Sequence, residues 1–131
     1  MQERIDAELT LLRGRYPDLE YMSDGRWIRI PSYSLPPGWN RPVTDVAFQI
    51  PMSYPGTHPY GIYVPSGLAF QGTNPDSYND PAPTQPPFPG SWAIFSWQPA
   101  DGEWRATTDL SSGSNLINWT AGFAARFREG K

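Results

Sequence analysis

The sequence predicts an α+β domain: an antiparallel sheet in the middle of the chain and an amphipathic helix at each end. Three observations carry that expectation. Apolar residues recur at helical spacing in 3–15 and again in 115–128. Short β-branched and aromatic runs, punctuated by glycine and proline, fill the middle. The sixteen prolines argue against a helix-dominated fold, because proline lacks the N–H that a helix interior needs.

In the first helix Ile5, Leu9 and Leu12 share one face. Leu11 lies beside them, and Glu3, Arg4, Asp6, Glu8 and Arg13 spread over the other faces. Tyr16-Pro17 ends it, since a residue before proline is pushed out of the helical region. Residues 19–22 form a short strand and Ser23-Asp24-Gly25 turns the chain. Arg26-Trp27-Ile28-Arg29-Ile30 returns as its hairpin partner, stopped by Pro31. After the rigid loop Leu35-Pro36-Pro37-Gly38-Trp39-Asn40-Arg41-Pro42, residues 43–50 make the clearest strand. There Val46, Phe48 and Ile50 face one way, and Asp45, Ala47 and Gln49 the other. Ile62-Tyr63-Val64 is the fourth strand, and short connections imply a four-stranded antiparallel meander.

Residues 71–90 hold six prolines and mostly small polar residues, which have little to bury. This long Pro-rich loop is expected to form neither helix nor sheet, serving as a solvated insertion or as a docking or lid segment. Residues 91–97 are again apolar and aromatic. Ser111-Ser112-Gly113-Ser114 offers an N-cap to the last helix, which packs Leu116, Trp119, Phe123 and Phe127 on the sheet. Arg126 and Arg128 suit the negative pole of its dipole.

At 131 residues the chain is expected to be one domain, 1–131, with a single core to which six tryptophans bring large buried area. A net charge of −3 leaves no electrostatic footprint for nucleic acid or an acidic membrane surface. Without cysteine there is no disulfide, zinc-thiolate site or thiol catalysis. One histidine and scattered acids make no metal site, and no glycine-rich phosphate loop appears, so no cofactor is expected. The charged start lacks a signal-type apolar stretch and nothing approaches a membrane span, so a soluble cytoplasmic protein is expected. Asp101, Glu103 and Asp109 around Trp104 raise the possibility of a glycosidase carboxylate pair or sugar platform; the plainer reading is solvated loop acids beside a core tryptophan.

The order of elements, with Tyr54-Pro55 in a proline-punctuated corner, resembles the ubiquitin-conjugating enzyme (E2, or UBC) superfamily along the whole chain. Within it the chain looks most like prokaryotic E2 family E. The matching pieces are Trp27-Ile28-Arg29-Ile30 leading to Leu35-Pro36-Pro37-Gly38-Trp39, then Ile50-Pro51 with Tyr54-Pro55, and the tryptophan-serine patch from Trp92 to Trp97 before Trp104. The resemblance implies a UBC-like fold and a role in a bacterial ubiquitin-like protein conjugation pathway, some of which are linked to phage defence. The implied partners are a ubiquitin-like protein and an E1-like activating enzyme. It also implies that the loops holding Pro36, Pro37, Trp39, Tyr54, Pro55 and His58 lie at one end of the sheet and, with the outer face of the first helix, receive partners.

The chain departs from the pattern at its chemical centre, where E2 enzymes carry a cysteine after the long loop. Matching the preceding glycine places Ala93 there, and matching the spacing to Trp104 places Ser96 there. The His-Pro-Asn element is missing too: His58-Pro59 comes too early, and Asn74 or Asn79 is left as a candidate oxyanion amide. Three accounts stand side by side. The cysteine was replaced by design; the protein is a natural pseudo-enzyme that binds without transferring, of the UEV or RWD kind; or Ser96 or Ser91 carries an oxyester. A serine needs a nearby base, and His58 is the only histidine. Its place in a tight corner reads more simply as a turn residue with a locally bonded ring.

Overall fold

The computed structural model describes residues 2–54, 56, 58–59, 61–72, 78–95 and 115–129. Helix α1 (Gln2–Arg15) is followed by β1 (Glu20–Met22), a 3₁₀ turn at Asp24–Arg26, β2 (Trp27–Ser34), β3 (Val43–Gln49) and β4 (Ile62–Pro65). Then come β5 (Tyr78–Asn79), β6 (Trp92–Phe95) and α2 (Leu116–Glu129). The strands form one antiparallel sheet in the order β1-β2-β3-β4-β6-β5.

The α+β class and the first four strands follow the sequence pattern, but the sheet has six strands rather than four. Of the added pair, β5 comes from the Pro-rich region expected to be irregular and β6 from the apolar, aromatic run 91–97. β6 lies along β4, with Val64 opposite Ala93, and β5 closes the edge outside it. Proline density excludes a long strand but not a two-residue one. The strand β6 is further supported by a side chain that imitates a neighbouring strand. The Gln85 amide donates to the carbonyls of Ala82 and Trp92 at 3.0 and 2.9 Å, and Trp92 N–H donates to Gln85 Oε1 at 2.9 Å.

Pro31 does not stop β2, which runs on to Ser34. The register with β3 shifts between Ile30 and Tyr33, and Ser32 takes a φ of 56°. This bulge accommodates a residue that cannot donate to the ladder. Ser32 N–H instead donates to Asp45 Oδ1 at 3.2 Å.

Both helices cover one face of the sheet. Ile5, Leu9 and Leu12 of α1 join Leu116, Trp119, Phe123 and Phe127 of α2 over Ile28, Ile30, Val46, Phe48, Ile62, Val64, Ala93 and Phe95. Leu11, off the apolar stripe, stays exposed. Edge-to-face contacts such as Phe48–Trp119 (6.2 Å) and Phe95–Phe127 (6.0 Å) fit the aromatic quadrupoles together. On the opposite face a smaller cluster of Trp27, Ala47 and Trp92, with Tyr63, is covered by Phe88 of the Pro-rich segment. Ala82 and Pro86 of the same segment are buried too, while most of 78–90 stays exposed.

One expectation about α2 changes and another holds, since Arg126 and Arg128 fall in its last turn. The serines at 111, 112 and 114 lie outside the described residues, and the cap is Asn115, whose Oδ1 accepts from Ile117 N–H at 2.9 Å. Arg126 is buried at 4% exposure with its guanidinium 4.6 Å from the Phe95 ring centre, a cation–π contact. No helix among the described residues is long and apolar enough to cross a membrane.

Candidate functional site

The two proline loops do not share an end of the sheet. The 35–42 loop joins the end of β2 to the start of β3, and the corner joins the end of β3 to the start of β4. In an antiparallel meander successive connections alternate between ends, so the two loops are separated by the length of β3. Helix α2 spans both. Its first turn meets the corner and its last turn meets the 35–42 loop, about 20 Å away at 1.5 Å per residue.

At the corner end Tyr54 is buried and bonded to the buried Glu8, while Met52 and Ser53 are exposed. Tyr54 is 1% exposed and its hydroxyl donates to Glu8 Oε1 at 2.5 Å. The same oxygen accepts Leu116 N–H at 2.7 Å, while Arg4 Nε binds the other carboxylate oxygen at 2.9 Å. Glu8, wholly buried, therefore ties α1, the corner and the start of α2 together. A buried carboxylate is tolerated because it is paired, hydrogen-bonded and close to the positive end of a helix dipole. Burial, then the hydrogen bond and negative charge of Glu8, push the Tyr54 phenol far above the ordinary tyrosine range, so it remains a donor. His58 Nδ1–H donates to the Pro59 carbonyl at 2.6 Å, and its ring stacks on Trp119 at 6.2 Å. Such a ring belongs to the corner, as its sequence position suggests. Pro55 lies outside the described residues.

The other end is open. Every residue from Leu35 to Pro42 except Gly38 lines a pocket of about 370 Å³. The loop is locked from behind. Gly38 sits at φ 106°, where a Cβ would fall 2.4 Å from the Phe70 ring, and Trp39 packs edge-on against the same ring at 5.2 Å. Trp39 Nε1–H donates to the Phe127 carbonyl at 3.0 Å, satisfying an orphan acceptor at the end of α2. Asn40 Nδ2 donates to the Gly67 carbonyl and its Oδ1 accepts from Ala69 N–H, while the Arg41 guanidinium donates to the carbonyls of Pro65 and Ser66. Pro37 remains exposed and Pro36 half-buried at the mouth.

Beside this loop lies a polar group that sequence reasoning found only in part. Ser91, exposed, has its Oγ 3.0 Å from Ser66 Oγ, and Ser66 N–H donates to the Ser91 carbonyl at 2.9 Å. Asp80 accepts Gly67 N–H at 2.8 Å and the Tyr78 hydroxyl at 3.2 Å. Its carboxyl is held below the usual carboxylate range, first by the Ser66 hydroxyl, against the opposing effect of burial, and then by Gly67, Tyr78 and the Arg41 charge. Burial foremost, with Asp80 second, raises the Tyr78 phenol. A carboxylate so stabilised is a weak proton acceptor, which limits what it can do for a serine nucleophile. Nothing local marked Ser66 or Asp80, because they meet only through the pairing of β4 and β5 with β6.

Ala93 is 0% exposed, in the core beneath the helices. A thiol in its place would lie in that core rather than in solvent. Asn79 is exposed on β5. Ser96, Asn74, Trp97, Asp101, Glu103, Trp104 and Asp109 lie outside the described residues. Among the described residues no group of three or more His, Asp or Glu side chains is placed to hold a metal ion. No protein-family model, no curated protein and no solved structure matches the chain.

Proposed function

We propose that this chain is a non-catalytic, UEV- or RWD-like protein-binding domain on an E2-type scaffold, acting in a bacterial ubiquitin-like protein conjugation pathway. The resemblance of the ordered motifs suggests the pathway. The six-stranded sheet is a departure from the four-stranded meander that the resemblance implies. The observation that carries the non-catalytic reading is the burial of Ala93, the position matched to the cysteine through its preceding glycine. The binding surface is the open end of the sheet, where Pro36 and Pro37 stand at the mouth of the 35–42 pocket on a loop stiffened from behind. Preformed loops lose little entropy on association.

A second reading is favoured by one observation, the exposed Ser91 hydroxyl beside Ser66. In it the Ser91 oxygen attacks the thioester carbonyl of an E1-bound ubiquitin-like protein, expels the E1 thiolate and gives up its proton to a base. The well-stabilised Asp80 suits that role poorly.

One experiment separates the readings. The chain is mixed with an E1-like enzyme, its ubiquitin-like protein and ATP, and both association and covalent adducts are followed. Expected are association without an adduct, and roughly tenfold weaker binding, about 1.4 kcal/mol, in Pro36→Ala/Pro37→Ala. A base-labile, thiol-insensitive adduct lost in Ser91→Ala would establish the oxyester enzyme instead. The same adduct lost only in Ser96→Ala would assign it to that serine. Absence of both association and adduct would remove the pathway assignment.

A further inference from the structure

We draw no further inference here: the strongest candidate, the open pocket along the 35–42 loop, belongs to the site already described, its polar walls Asn40 and Arg41 are engaged by the 65–69 turn, and nothing in the structure shows what covers it.

Discussion

The two ends of α2 are held by different physics. At its start a buried carboxylate from another helix accepts Leu116 N–H and the Tyr54 hydroxyl and pairs with Arg4. At its end the neutral indole of Trp39 donates to the Phe127 carbonyl, and Arg126 lies over Phe95. The first arrangement is dry and charge-dependent, so removing one member exposes the others to an unfavourable medium. The second rests on ring packing, which degrades gradually. Aromatic residues appear at both ends, yet the Tyr54 hydroxyl is buried against Glu8 while Pro36 and Pro37 border open space. Residue type alone therefore does not mark a binding surface; what matters is whether the polar groups close on one another.

The sharpest way to break the contrast is Glu8→Ala. It leaves the buried Leu116 N–H without its acceptor and dissolves the ion pair, and should lower the unfolding free energy by about 3 kcal/mol. Urea denaturation checks this, and a loss below about 1 kcal/mol would mean that the carboxylate is not buried in solution. Tyr54→Phe keeps the ring and removes one short bond to a charged acceptor, with an expected cost of about 2 kcal/mol by the same measurement.

Trp39→Phe tests the opposite end. It retains an aromatic ring against Phe70 and Phe127 but removes the donor to the Phe127 carbonyl, for an expected cost of about 1 kcal/mol. Amide exchange should quicken in the last turn of α2 and not in the first. Equal quickening at both ends would erase the distinction between them.

The smallest effect concerns Asp80. Its folded pKa is depressed, so its contribution to stability is fully present above the unfolded carboxylate pKa and is lost as pH falls through the lower folded value. In Asp80→Asn that part of the acid limb should flatten, with little change at neutral pH, because the group is largely exposed. An unchanged acid limb in chemical denaturation would show that the Ser66–Asp80 contact contributes nothing to folding.

Helix content and the inward stripe of α2 were legible because they depend on neighbours three and four residues apart. Leu116, Trp119, Phe123 and Phe127 are buried as their spacing requires. The strand 43–50 was legible for the same local reason. The role of Glu8 was not. It reads as one more surface charge on α1, since its partners Tyr54 and Leu116 are 46 and 108 residues away. Pro31 was misread because proline excludes a ladder donor without saying whether a bulge will relieve the need for one. The short strand Tyr78–Asn79 within 71–90 was missed because proline content measures what the backbone cannot donate. It does not measure what Phe88 can bury or what the Gln85 amide can replace.

By itself the sequence determined the α+β class, the two helices and their apolar stripes, the first four strands and the inward set Val46, Phe48 and Ile50. These are consequences of periodicity and turn chemistry, which are local. Only the tertiary structure decided that β6 enters beside β4, that the proline loops occupy opposite ends, and that Ser91 meets Ser66 near Asp80. Each depends on which strands pair and in what register, and pairing between distant segments is selected by the packing of the whole core.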